Sequence, residues 1–220
     1  DFTRYPRDLE RDTTLASEAG TDYIFAPETQ TIYPSGYHTY IDVQRVTEAL
    51  EGKSRPGHFR GVATVVAKLF HITNPHVAVF GQKDAQQVVV VRQMIRDLNF
   101  AIELIVCPIV REPDGLAMSS RNAYLTQEQR LQVPVLFRSL RLAEDLVRGG
   151  ERNPAVVIER MKEMITGNSA GVIEYVSIAD AVTLEERGEC GGSMLVSLAA
   201  RFGNTRLIDN TTITVQDTNG

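Results

Sequence analysis

A chain of 220 residues, 43% hydrophobic and 23% charged, is long enough for one large domain or two modest ones with real cores. Its net charge of −5 excludes the basic face that broad nucleic-acid binding needs. Its longest apolar runs, such as Val88 to Val91, fall far short of a membrane span.

In chain order, the spacing predicts a helix over Pro6 to Ala19, ended by Gly20. Tyr23 to Ala26, stopped by Pro27, reads as a short buried strand, and residues 27–44 as an irregular excursion. Gly61 to Thr73 carries a helical stripe at Val62, Val65, Val66, Leu69 and Phe70. A strand His76–Phe80, a helix Ala85–Leu98 and a strand Ile102–Cys107 follow. This alternation, with strands apolar on both faces, implies a parallel sheet covered by helices.

After Pro108 the character changes. Thr126 and Gln129 make a capping-box signature for a long helix to about Arg148, which Pro134 should kink or split. Asn153-Pro154 starts another helix. Val172–Ile178, Leu195–Ala200 and Ile213–Val215 read as strands, and Gln216–Gly220 as a frayed tail. A separate small α+β domain is therefore expected, with its boundary near residues 108–112. Cys107, inside an apolar run, is expected to be a buried free thiol in a reducing compartment. The histidines His38, His58, His71 and His76 form no metal-ligand spacing with cysteines or acids. No signal-peptide pattern opens the chain, and a first residue of Asp1 rather than methionine leads us to expect a segment upstream.

Two segments carry the chemistry. Phe80-Gly81-Gln82-Lys83-Asp84-Ala85-Gln86-Gln87 puts a glycine, a lysine and an aspartate at a strand-to-helix turn. In a parallel sheet such turns collect ligands, with close backbone approach at Gly81, unpaired amides and a positive helix end. Lys83 suits phosphate charge and Asp84 suits ribose hydroxyls. The Asp84–Gln87 spacing fits a helix cap equally well, and Gln87 fits either that cap or a polar substrate. Gly115-Leu116-Ala117-Met118-Ser119-Ser120-Arg121-Asn122 adds two hydroxyls and a guanidinium that can grip phosphate oxygens at two points. Arg111, Glu112 and Asp114 before it read as a solvated linker. Lys53, Arg55, His58 and Arg60 gather positive charge, with a solvated loop as the equal alternative.

These motifs, together with Arg55-Pro56-Gly57-His58-Phe59-Arg60-Gly61-Val62, Arg111-Glu112-Pro113-Asp114 and Thr205-Arg206-Leu207-Ile208-Asp209-Asn210, resemble the pantothenate synthetase family from Tyr5-Pro6-Arg7 to about Val215. The resemblance implies an α/β fold. A Rossmann-like nucleotidyl transferase domain over 1–109, lacking its first strand, would precede a smaller α+β C-terminal lid domain over 110–220. It implies a cytoplasmic homodimer that joins pantoate to β-alanine through pantoyl adenylate, with MgATP as substrate and AMP and pyrophosphate as products. It assigns ATP contacts to Gly81, Gln82, Lys83, Asp84, Val110, Met118, Ser119, Ser120 and Arg121. Among these, Lys83, Ser119, Ser120 and Arg121 would act in catalysis. Gln87 would bind pantoate, with Val62, Val65 and Val66 as apolar walls.

Two departures stand out. Ala85 replaces the family's usual aromatic, a packing change beside the site. The amino-terminal strand and H-x-G-H turn have no counterpart, so these 220 residues alone are expected to be inactive and to self-associate. Asp12 is a candidate magnesium contact or a solvated helix-face acid. The rival readings are a transferase with a phosphorylated acceptor, which needs a more basic pocket than the three valines offer, and a non-catalytic nucleotide-binding fragment.

Overall fold

The structure, a computed structural model, describes residues 8–215; Tyr5-Pro6-Arg7, the first residues of the expected Pro6–Ala19 helix and the Gln216–Gly220 tail lie outside them. By compactness the chain forms two units, Asp1–Tyr40 and Ile41–Gly220.

In the first unit, helix α1 spans Leu9–Glu18. Asp8 caps it by accepting from the Arg11 amide (3.0 Å), and Gly20 leaves it with a φ of +86°. Tyr23 to Ala26 is not a strand. It runs without regular structure, with Tyr23 92% exposed, because no described strand pairs with it. A single helical turn, α2 (Thr29–Ile32), and edge-on contacts of Tyr37 with Tyr33 and Tyr40 complete this unit.

The second unit begins with the short turn α3 (Glu51–Ser54) and helix α4 (His58–Thr73). Gly57, at φ +78°, opens α4, and Asn74 ends it in the left-handed region. Strand β1 (Val77–Gly81), a 3-10 turn (Gln82–Asp84), helix α5 (Ala85–Asp97) and strand β2 (Glu103–Cys107) make a βαβ unit. The two strands are parallel, in register from Val77↔Glu103 to Gly81↔Cys107. Helices do not cover both faces of this sheet. Helices cover Ala78 and its neighbours, but Val77, Val79 and Ile105 on the alternate face are 43%, 61% and 42% exposed. Cys107 is likewise exposed; the buried free thiol is Cys190.

Pro134 splits the long helix, as its missing amide requires, into α6 (Gln127–Gln132) and α7 (Val135–Arg148). The Thr126–Gln129 capping box forms, and Asn153 caps α8 (Pro154–Asn168) through the Ala155 amide (3.0 Å). Strands β3 (Val172–Asp180), β4 (Gly192–Phe202) and β5 (Thr205–Val215) form an antiparallel sheet in that order. The polar stretch Thr205–Thr212 hid most of β5 from pattern reading. Both faces of central β4 are covered. Met194, Val196, Leu198 and Ala200 join α7 and α8 in one core, while Leu195 joins α4 and α5 in another. Each fully buried aliphatic side chain of this kind contributes roughly 1.5–3 kcal/mol.

Arg111, Glu112 and Asp114 are no solvated linker. Arg111 forks onto Asp209 (2.7 and 2.9 Å), and its guanidinium lies 4.2 Å from the centre of the Phe137 ring. Arg130 holds Glu112 and Asp114 together. Gly115 sits at φ +91°, where an added Cβ would stand 2.1 Å from Phe137 Cδ1. Gly115→Ala should therefore lower stability by roughly 1–3 kcal/mol through strain and overpacking. A fall in the urea midpoint at unchanged slope measures it, and an unmoved midpoint would show that Phe137 gives way freely.

Candidate active site

At the carboxyl end of β1, Gly81 hands the chain to the Gln82–Asp84 turn and the first turn of α5. Asp84 is the residue before α5, but its side chain makes no capping bond, so capping does not explain the Asp84–Gln87 pair. Both line a small cavity of about 30 Å³, room for a water molecule, together with Lys83, Arg55, His58 and Asn210. An open cleft of about 450 Å³, which shares Asn210 with it, lies outside the ends of β1 and β2, lined by Gln82, Val106, Pro108, Ile109, Arg111 and Asn210. That volume is in the range of small-molecule sites, at the place where parallel sheets hold ligands. A larger cleft of about 970 Å³ lies between segment 41–49, the end of α5 and residues 182–186. It holds none of the residues the motifs single out.

The adjacent glutamines have opposite duties. Gln86 is buried; it accepts from the Glu51 amide (2.9 Å) and donates to the carbonyls of Val46 (2.8 Å) and Ala49 (2.9 Å). It thereby fixes the loop that leads into α3. Gln87, half-buried, faces the cavity. Ala85 is buried and also lines the cavity. The apolar part of the wall comes from Leu50, Phe59, Leu195 and Ile208 rather than from the expected valines. Val66 is buried in the helix–sheet core, and Val62 and Val65 pack against that core.

The basic cluster divides. Arg55 and His58 turn inward to the cavity, while Lys53 and Arg60 are exposed. Arg55 Nη1 lies 3.0 Å from His58 Nε2. A guanidinium only donates, so Nε2 accepts and the ring carries its proton on Nδ1. Burial and the Arg55 charge push the His58 pKa below its ordinary value. Arg55 is itself lowered by burial, and the Arg121 and Arg206 charges act on it in the same direction. Arg121 thus reaches the electrostatic neighbourhood of Arg55 and His58.

Folding favours the neutral His58 ring. Its contribution to stability is full above about pH 6.5 and is lost as pH falls through the depressed folded value. Between about pH 7 and 5 the parent should therefore lose more melting temperature than His58→Gln. A His58 proton titration at or above the ordinary histidine value, read by NMR, would overturn this.

The second motif forms a hairpin and a turn. Met118 N donates to Val110 O (2.9 Å), pairing the two residues, which are 55% and 67% exposed. Ser119 Oγ accepts from the Arg121 amide (3.2 Å) and opens the 3-10 turn Ser120–Tyr124. Ser120 is exposed and Arg121 half-buried. Asp12 is exposed on α1, and among the described residues no group of three or more His, Cys, Asp or Glu could hold a metal ion.

Sequence reasoning gave no role to the residues that hold the site's wall. Arg206 makes a double contact with buried Glu51 (2.7 Å each) and also donates to Glu174 (2.7 Å). Tyr175 Oη donates to Glu51 (2.9 Å). Burial first, then the Glu51 charge, raises the Tyr175 pKa, so the phenol stays protonated. Only the Thr205–Asn210 motif signalled this arrangement, and no spacing rule links it to Glu51.

Known proteins resemble the chain over nearly its whole length. The family model for pantoate-beta-alanine ligase matches residues 1–212. The pantothenate synthetase of Moorella thermoacetica is 55% identical over 217 residues, 99% of this chain and 77% of that protein. The one from Acetivibrio thermocellus is 54% identical over 215 residues, covering 98% and 76%. The crystal structure of pantothenate synthetase from Thermus thermophilus superposes with a TM-score of 0.92 at 44% identity, covering 96% of this chain and 76% of that one. A pantoate-beta-alanine ligase from Francisella tularensis, complexed with beta-gamma ATP and beta-alanine, gives 0.75 at 31% identity, covering 96% and 72%. With its α/β architecture, its glycine–lysine turn at the end of a parallel strand and this likeness in sequence and shape, the chain belongs to the pantoate-β-alanine ligase family of enzymes.

Proposed function

We propose that the chain carries the adenylating site of an ATP-dependent ligase that activates pantoate as pantoyl adenylate and passes the acyl group to β-alanine. The observation that carries this reading is the gathering of Lys83, Arg55, His58 and Gln87 where the parallel strands end, with the Arg121 charge in reach. The Francisella relative's complex with beta-gamma ATP and beta-alanine supports the same substrates here. A pantoate carboxylate oxygen attacks the α-phosphorus and pyrophosphate leaves; the β-alanine amine then attacks the acyl carbon and AMP leaves. Such steps depend on alignment and on neutralising phosphate charge.

In this proposal the nucleotide takes the 450 Å³ cleft, whose lining includes Gln82, and the family resemblance adds Gly81, the Val110 backbone and Met118 as its contacts. Asp84 accepts from ribose, Lys83 and Arg121 carry phosphate charge, and Ser120 donates to phosphate oxygen. Ser119 uses an acceptor position for the Arg121 amide and keeps its O–H to donate. Gln87, half-buried on the wall of the small cavity, binds pantoate, and that cavity must widen to admit it. Mg²⁺ arrives on the triphosphate. Residues 110–220 act as the lid domain, excluding water from the adenylate. A homodimer in the cytoplasm completes the proposal; free Cys107 and Cys190 suit a reducing compartment. Among the described residues no helix is long and apolar enough to cross a membrane.

Pantoate labelled with ¹⁸O in its carboxylate tests the adenylate. One labelled oxygen should appear in AMP. Label appearing in phosphate with release of ADP would mean an acyl phosphate instead.

A further inference from the structure

We infer that Asn210, on the C-terminal sheet, is a positioning residue for the nucleotide turn: its side-chain amide holds the backbone of Gln82 and Lys83 in the shape the adenylation step needs. Asn210 Nδ2 donates to the carbonyls of Gln82 (3.1 Å) and Lys83 (2.9 Å), and Oδ1 accepts from Gln82 Nε2 (3.2 Å). Both amide hydrogens and the oxygen are thus committed to the turn. Asn210 is 3% exposed, so water does not substitute for these bonds.

The turn has little else to hold it. It is one 3-10 turn, Asp84 makes no cap bond, and Gly81 has open space where a Cβ would be. Asn210 itself is anchored. Its backbone N–H donates to Asp209 Oδ1 (2.8 Å), and that carboxylate is gripped by Arg111. Holding the two carbonyls fixes the peptide planes from which Lys83 and the following amides project. The chain therefore orders its phosphate-facing turn from a strand 128 positions later. Misplacement by about 1 Å commonly costs on the order of 10²-fold in such sites.

The inference rests on the proposed adenylation, and its test keeps the two separable. Pantoate-dependent exchange of labelled pyrophosphate into ATP is measured in the intact enzyme for the parent, Asn210→Ala and Asn210→Asp. Asn210→Asp keeps an acceptor for Gln82 Nε2 but sets a second oxygen against two carbonyls. Leu207→Ala, which empties part of the core on the opposite face of β5, is the stability control. The expected result is a fall in exchange of roughly 10–100-fold for both Asn210 variants, with melting temperatures no lower than that of Leu207→Ala. Leu207→Ala should exchange within about threefold of the parent. Amide exchange at Gln82–Gln87 should quicken in the Asn210 variants alone. Unchanged pyrophosphate exchange in either Asn210 variant, or an equal loss in Leu207→Ala, would overturn the positioning role. A parent that shows no pantoate-dependent exchange would remove the adenylation reading, and this inference with it.

Discussion

Replacing Lys83 by alanine is expected to slow pantoyl-adenylate formation in the intact enzyme by roughly 10²–10³-fold, the usual loss when one transition-state donor is removed. Lys83 lies in the turn after β1, on the cavity wall, with its backbone carbonyl held by Asn210. Its charge reaches as far as Asp209, whose pKa burial raises and Arg111 lowers. In the proposed adenylation negative charge grows on the departing pyrophosphate, so the ammonium should matter more there than in the ground state. Pantoate affinity should stay within about threefold of the parent. Single-turnover pyrophosphate release separates the two effects. A rate within about threefold of the parent would reduce Lys83 to a surface residue of the turn.

The largest effect on stability is expected at Arg206. Glu51 is 7% exposed and takes both Arg206 contacts and the Tyr175 hydroxyl. Arg206→Met leaves that carboxylate buried with one neutral donor. Breaking such a pair from one side costs about 3–5 kcal/mol, because the remaining charge stays desolvated. In a chain of this size that lowers the melting temperature by roughly 6–20 °C. Adding Glu51→Gln to Arg206→Met should restore a large part of the loss, since no uncompensated charge remains. Urea unfolding of the two singles and the double measures the coupling. Strict additivity of the two losses would show that Glu51 and Arg206 act independently.

Local rules carried far because several elements here are locally determined. The Thr126–Gln129 box, Asn153-Pro154 and the break at Pro134 each follow from groups within four residues of one another. Where a residue's fate depends on distant partners, reading failed. Tyr23–Ala26 has strand composition but joins no ladder among the described residues, and Cys107 sits in an apolar run whose alternate face is open. Thr205–Thr212 is too polar to read as a strand, yet β4 supplies a partner along its whole length. The site divided in the same way. The Gly81–Gln87 turn was legible from glycine and lysine placed after an apolar strand. The Glu51–Arg206 and Gln82–Asn210 pairs join residues more than a hundred positions apart, and no periodicity marks them. The valines that the family resemblance offered as apolar walls lie in or against the helix–sheet core, and Leu50, Phe59, Leu195 and Ile208 line the cavity instead.

The most direct measurement is the release of AMP by the intact enzyme from ATP, with pantoate and β-alanine supplied separately and together. The expected result is AMP in equal amount with pantothenate when both are present, and at most about one equivalent per site when β-alanine is withheld. Sustained AMP release without β-alanine would mean that water reaches the adenylate and that no lid protects it. Formation of a dinucleotide from a phosphorylated acceptor, with no AMP, would contradict the ligase reading outright.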